Sequence, residues 1–249
     1  MKRFYLDLML SVLLLASLFL GGCITSQPSR FYILTPIGTY LNKDKVAIPD
    51  SDNNKTTDKS EIAGKSGSGI SGKSGIPDKG GISDEINSMQ TSKRAALKNI
   101  NLGLGPVSIA KYLDRSQLVV RLSPHEIKLE DFHQWAGSPR DDIPAILLEN
   151  MSTVLGIDTI YKYPWKSYAD VDFQIIVDIQ QLDGRPDESV RLAARWEILV
   201  DKGSKSVRSG KTELAEPVSG SGFDFFTAAQ SRALGRLSII IARAVIELL

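Results

Sequence analysis

The sequence has few of the residues that build covalent or metal-bound frameworks. Its 249 residues include one cysteine and two histidines. A single cysteine cannot form an intrachain disulfide, and it excludes a zinc site built from several cysteines. The sequence therefore predicts neither a disulfide framework nor a cysteine-based metal site.

An excess of one charge is also absent. The chain carries 30 basic and 29 acidic side chains, giving a net charge of +1. Nucleic-acid binders usually carry clustered Lys and Arg that displace counterions from phosphates, and the sequence shows no such basic stripe. We therefore expect no nucleic-acid partner.

The N-terminus has the order of a secretory signal. Lys2 and Arg3 precede an apolar run over residues 8–20, and small residues follow it. This order is typical of a signal peptide, and the run is shorter than the roughly 20 residues that span a bilayer. We predict that residues 1–22 are a signal peptide; the alternative is an uncleaved anchor helix.

The string Leu20-Gly21-Gly22-Cys23 resembles the bacterial lipobox. This resemblance implies cleavage before Cys23 and attachment of diacylglycerol and an acyl chain such as palmitate. We expect residues 23–30 to be the lipidated N-terminus and a short tether, with no cofactor beyond the lipid on Cys23. Inner-membrane lipoproteins usually have Asp after the cysteine. Because Ile24 stands there, we predict an anchor on the periplasmic face of the outer membrane.

Residues 42–98 form a segment rich in Gly, Ser, Lys, Asp and Asn. Such a composition buries too little apolar surface to offset the entropy of ordering, so we predict a disordered insertion. Residues 67–74 within it match the phosphate-loop pattern. That pattern binds nucleotide only between a strand and a helix, and both flanks here are polar or rich in Pro and Gly. We expect no nucleotide site.

Two interpretations of the residues before this insertion remain open. Residues 31–41 begin with aromatic and β-branched residues up to Pro36, which predicts the first strand of the domain. A long structureless loop inside a compact domain is uncommon, however. The alternative makes residues 24–98 a tether and starts the domain near residue 99.

Residues 99–249 are predicted to form the main part of the domain. Strands are expected at 100–109 and 117–122, and a helix at 138–156 with an apolar face and a C-terminal Gly156. Residues 171–182 alternate apolar and polar side chains, and two further strands follow short turns predicted at residues 183–186 and 201–203. These three strands predict an antiparallel meander.

A long amphipathic helix is predicted from about residue 225 to 249. Strands that follow one another through short turns, with helices elsewhere, are typical of an α+β fold. We therefore predict a largely antiparallel sheet packed by two helices.

Several strings, in this order, resemble those of the ABC-type transport auxiliary lipoproteins. They are Phe31-Tyr32-Ile33-Leu34 soon after the cysteine, Tyr112-Leu113-Asp114-Arg115-Ser116-Gln117-Leu118-Val119, and Gln134-Trp135-Ala136. The resemblance also favours the first interpretation, in which residues 31–41 belong to the domain. This chain has Ala110-Lys111 where the family often has a proline, and its first loop is longer.

The resemblance implies a non-catalytic docking component of a transenvelope transporter for lipids or other hydrophobic solutes. Its partners would be a mammalian-cell-entry (MCE) domain protein and an inner-membrane permease or ABC transporter, and homo-oligomers are compatible with this role. The alternative is a stand-alone periplasmic lipid-binding or envelope-integrity lipoprotein, which would need an apolar cavity of several hundred Å³.

Partner-binding residues are predicted at Tyr112, Asp114, Arg115 and Trp135. Aromatic and arginine side chains are enriched at interface hot spots. The competing interpretations are core packing for Trp135 and a turn in which Asp114 only binds backbone.

An enzymatic function is not expected. His125 and His133 are eight residues apart near acidic side chains, but no third metal ligand is evident. The sequence also lacks a Gly-x-Ser-x-Gly nucleophile motif. We therefore predict neither catalytic nor metal-binding residues.

Overall fold

The structure, a computed structural model, describes residues 27–41, 97, 99–166 and 169–249. The predicted signal peptide, Cys23 and nearly all of the predicted insertion at 42–98 lie outside the described residues. The exception is Leu97, whose side chain is 1% exposed in the hydrophobic core. The core therefore includes a residue from the end of that segment.

The described residues form one eight-stranded sheet and three helices. The strands are β1 (Arg30–Tyr32), β2 (Leu102–Ile109), β3 (Gln117–Ser123), β4 (Glu126–Trp135), β5 (Ile160–Lys162), β6 (Phe173–Gly184), β7 (Ser189–Val200) and β8 (Lys205–Pro217). The helices are α1 (Ile37–Leu41), α2 (Pro139–Leu155) and α3 (Phe223–Glu247). This architecture confirms the predicted α+β class.

Strand β6 is the centre of the sheet. On one side it pairs antiparallel with β7, which pairs antiparallel with β8. This is the predicted meander. On its other side β6 pairs parallel with β2 along its first half and with β3 at its last residue. Strand β5 extends the sheet beyond β2, while β4 and β1 extend it beyond β3.

The sheet contains parallel pairs that the sequence analysis did not predict. β1 pairs parallel with β4, and β2 pairs parallel with both β5 and β6. Alternation of side chains identifies a strand but carries no information about which distant strand lies beside it. The antiparallel hairpin β3–β4 completes the sheet.

Helices α2 and α3 cover one face of the sheet and enclose the core. Helix α2 ends at Gly156, whose φ of 66° is the left-handed conformation predicted for its cap. Ser138 is the residue before α2, but its side chain makes no capping hydrogen bond. Among the described residues, no helix is both long and apolar enough to cross a membrane.

Ion pairs also hold helix α3 against the sheet. The carboxylate of Glu216 on β8 is 7% exposed and lies 2.7 Å from the guanidinium of Arg236 and 3.7 Å from that of Arg232. In the sequence, both arginines lie on the polar face of the predicted amphipathic helix. Part of that face therefore contacts β8.

Strand β6 extends further than its sequence indicated. Residues 183–186 were predicted to form a turn, but Asp183 and Gly184 belong to the strand, and the turn follows them. A bulge between Ile179 and Gln181 shifts the register, so the simple alternation no longer marks the buried face. A Cβ on Gly184 would lie 2.0 Å from the backbone oxygen of Ser189, which explains the glycine.

The N-terminal segment is part of this structure. β1 is a strand of only three residues, and residues 37–41 form α1 instead of continuing the strand. The backbone nitrogen of Ile37 donates to the side-chain oxygen of Asn150 on α2 at 2.7 Å, and that of Thr35 donates to Ser231 on α3 at 3.1 Å. Both long helices therefore hold the segment that follows β1.

Candidate functional site

The candidate site is the turn between β2 and β3, residues 111–116, which we call the docking turn. Its backbone is closed by hydrogen bonds from Leu113 to the oxygen of Ala110 at 2.9 Å and from Asp114 to that of Lys111 at 3.3 Å. The side chain of Leu113 is buried in the core. The turn is therefore fixed to the domain, with Lys111, Asp114 and Ser116 exposed.

A buried ionic network lies behind the docking turn. The hydroxyl of Tyr112 donates to the carboxylate of Asp183 at 2.8 Å. Arg121 donates to the same carboxylate through two nitrogens, at 2.8 and 2.7 Å, and Gln181 adds a further hydrogen bond at 2.8 Å. Asp183 is 0% exposed, so its charge is compensated entirely within the protein.

The network shifts the pKa values of two of its members. Burial raises the pKa of Asp183, but hydrogen bonds from Arg121, Gln181 and Tyr112 outweigh burial and hold this pKa below its usual value. Burial and the neighbouring carboxylate raise the pKa of Tyr112. Asp183 is therefore charged and Tyr112 neutral at physiological pH.

Besides the exposed Lys111, the docking turn carries the charged residues Asp114 and Arg115 on its outer side. Asp114 lies 3.2 Å from the guanidinium of Arg140, which is 72% exposed at the start of α2. Arg115 donates from Nε to the backbone oxygen of Tyr112 at 2.7 Å, so its stem is fixed by the turn itself. The turn and α2 together present a small surface with both charges.

Trp135 adjoins this surface from the end of β4. Its backbone nitrogen donates to the oxygen of Ser116 at 2.6 Å, which places it next to the docking turn. Its side chain is only 8% exposed. The structure thus brings Tyr112, Asp114, Arg115 and Trp135 into one region, with the two aromatic residues inside and the two charged residues outside.

Four residues of this region were not predicted from the sequence, namely Arg121, Gln181, Asp183 and Arg140. Arg121 follows the apolar run Leu118-Val119-Val120 within a strand, an unusual place for a charge without a partner. That signal identifies a buried ion pair but not its partner. Asp183 resembled a turn residue in the sequence.

The two histidines occupy unrelated environments. His125 is exposed, whereas Nδ1 of His133 lies 2.8 Å from the hydroxyl of Tyr32 and its ring stacks on Phe223 at 3.9 Å. In the part of the chain that the structure describes, no three His, Cys, Asp or Glu residues are grouped so that they could hold a metal ion. The candidate site is therefore a surface turn supported by the buried ionic network around Asp183.

Comparison with solved structures shows the same fold elsewhere. A crystal structure of an uncharacterised protein has a TM-score of 0.53 and 18% sequence identity, covering 59% of this chain and 93% of that protein. A Xanthomonas campestris protein has a TM-score of 0.49 and 18% identity, covering 57% of this chain and 81% of its own. A search of curated proteins gave no match.

A family model described as "ABC-type transport auxiliary lipoprotein component" matches residues 84–242. The match includes the docking turn, Trp135 and the central strands, and it begins within the segment predicted as an insertion. It covers well over half of the chain. The chain therefore belongs to the ABC-type transport auxiliary lipoprotein family.

Proposed function

We propose that this protein is the outer-membrane docking component of a transenvelope transporter for lipids or other hydrophobic solutes, anchored by lipid on Cys23. It would contact an MCE-domain protein that reaches it from an inner-membrane permease or ABC transporter. Family membership supports the general transport role. The lipobox-like string and Ile24 support the anchor and its position on the periplasmic face.

The observation that carries this proposal is the construction of the docking turn. A buried ionic network fixes this short turn, yet the outer residues of the turn, Asp114 and Arg115, are not part of the core. A rigid surface loses little conformational entropy when a partner binds. Tyr112 and Trp135 would support the contact from behind.

A stand-alone lipid carrier is less well supported. The described core is filled by side chains of the helices and the sheet. A groove of about 680 Å³ lies beside β1, but it is open and lined partly by charged residues such as Arg30 and Asp224. A lipid carrier normally surrounds most of its ligand with an apolar pocket.

A charge exchange tests the proposed contact. The variants Asp114→Arg and Arg140→Asp, separately and together, are compared with wild type for crosslinked recovery of the MCE-domain protein from membranes. If the partner recognises these charges, each single variant loses recovery and the double variant does not regain it. The exposed pair of Arg208 and Glu247, exchanged in the same way, is the matched control.

Full recovery in the double variant would contradict this contact, because it would mean that only the internal ion pair matters. The anchor is tested separately by the intact mass of the membrane protein. Loss of residues 1–22 and addition of lipid to Cys23 are expected, and the Cys23→Ala variant should leave the membrane fraction.

A further inference from the structure

Large apolar side chains are exposed together on β1 and β4. Phe31 and Ile33 are each 64% exposed, and Phe132 is 41% exposed. Single exposed apolar residues are common, whereas a group of them usually marks a binding surface. We call these three residues the anchor-end patch.

The pairing of β1 with β4 brings Phe31 and Phe132 to the same part of the surface. Phe31 pairs with Gln134 in the parallel ladder of β1 and β4. Phe31 and Phe132 both line the groove beside β1, and Ile33, the residue after β1, is two positions beyond Phe31. Tyr32 and His133 lie on the opposite side and contact each other and Phe223. One side of β1 therefore packs against the core, and the described residues do not cover the anchor-end patch.

The position of the patch along the chain indicates what it contacts. Phe31 is eight positions after Cys23, which limits the distance between them to about 28 Å. A lipid on Cys23 would hold the patch close to the membrane surface at all times. At such a distance the lipid surface has a high effective concentration for the patch.

We propose that the anchor-end patch inserts into the boundary between headgroups and acyl chains of the membrane that carries the anchor. This inference rests on the proposed lipid anchor. Phenylalanine and isoleucine side chains favour that boundary, and partial insertion buries apolar area while the backbone stays outside. The lipid and the patch together would fix the orientation of the domain.

The test uses whole protein purified from membranes and reconstituted into phosphatidylethanolamine and phosphatidylglycerol vesicles with brominated acyl chains. Bromine quenches tryptophan fluorescence at short range. The variants Phe31→Trp and Ile33→Trp report on the patch. Tyr163→Trp is the control, because Tyr163 is 47% exposed next to β5, at the opposite edge of the sheet. The signal of wild type, from its three tryptophans, is subtracted.

We expect quenching of the tryptophans at 31 and 33 to be several-fold greater than at 163. Equal, weak quenching at all three positions in vesicle-bound protein would overturn the insertion, and would favour a second protein chain as the occupant. Two reporter positions are used so that the test still works if one variant misfolds, and circular dichroism identifies a misfolded variant.

The result can be separated from the anchor itself. Intact mass first establishes whether Cys23 carries lipid. If it does not, the proposed anchor fails, and the same chain is coupled through its single cysteine to a maleimide lipid before the quenching is measured. Quenching at 31 and 33 would then still support the patch, and its absence would still overturn it.

Discussion

Asp183 is a charge in the interior of the protein, and its surroundings explain how it is tolerated. Arg121, with 26% of its side chain exposed, supplies the opposite charge, and Tyr112 and Gln181 complete the hydrogen bonding. Burial of the pair costs desolvation, but removal of one partner leaves the other uncompensated. The network therefore fixes geometry more than it adds stability.

We expect Asp183→Asn to lower the free energy of unfolding by about 3 kcal/mol, because it leaves the Arg121 charge without its partner. The measurement is urea denaturation in detergent. Because the pKa of Asp183 is depressed in the folded state, its contribution is present above pH of about 4 and is lost as the pH falls further. The variant should therefore lose less stability on acidification than wild type.

The control for this prediction is Glu213→Gln. Glu213 also contacts a basic side chain, that of Lys211, but both are more than half exposed on β8. The urea midpoint of this variant should equal that of wild type. An equally small effect for Asp183→Asn would show that the buried network does not hold the turn.

Tyr112→Phe removes one hydrogen bond to a buried carboxylate, and we expect a loss of about 2 kcal/mol at pH 7. The raised pKa of Tyr112 adds a dependence at high pH. Tyrosine ionises near pH 10 in the unfolded chain, so this contribution is present below pH 10 and is lost as the pH rises above it. Wild type should therefore lose stability above pH 10 more steeply than the variant.

Tyr163→Phe is the comparison at neutral pH, since Tyr163 is exposed. Its stability at pH 7 should match that of wild type. A parallel alkaline loss in wild type and Tyr112→Phe would contradict the role assigned to this hydroxyl.

Among the elements, β1 and the residues that follow it depend most on contacts with other elements for their position. β1 has three residues, and the backbone after it is held by the side chains of Asn150 on α2 and Ser231 on α3. A force on the lipid anchor would enter the domain through this segment. The hydrogen bonds to the two helices therefore connect anchor and core.

We expect Asn150→Ala to increase amide hydrogen exchange in residues 30–41, because the buried backbone nitrogen of Ile37 loses its acceptor. Exchange in β7 and β8 should stay unchanged. Ser152→Ala, on the same helix, removes only a hydrogen bond to Ile157 and is the matched control. Unchanged exchange at residues 30–41 would show that β1 pairing alone holds the segment.

Local patterns were sufficient to predict several elements. Alternation identified β6 and β7, the turn at Asp201-Lys202-Gly203 separated β7 from β8, and Gly156 marked the end of α2. Each of these signals acts over a few residues. They gave the α+β class, the meander and both long helices.

Contacts between distant residues were not predictable in this way. The pairing of Tyr32 with Trp135 joins residues about one hundred positions apart, and the bond between Arg121 and Asp183 crosses from β3 to β6. No local periodicity encodes either contact. The sequence therefore indicated the exposed residues of the docking turn but not the network that fixes them.

At the scale of the whole molecule, Trp135 and the residue after it connect the docking turn with β1. Its backbone nitrogen bonds to Ser116 of the turn, and the next residue, Ala136, donates to the oxygen of Tyr32 on β1 at 2.8 Å. The two proposed contact regions, one for a protein partner and one for the membrane, therefore both adjoin the last residues of β4. A partner docked at the turn would meet the domain near the membrane that holds it.

The most direct measurement is crosslinking in intact envelopes, followed by mass spectrometry of everything that co-purifies with the wild-type protein. We expect recovery of an MCE-domain protein from an outer-membrane fraction, with crosslinks that involve residues 111–116 or Arg140. Recovery of no transporter component, with crosslinks only to cell-wall proteins or an unrelated complex, would contradict it.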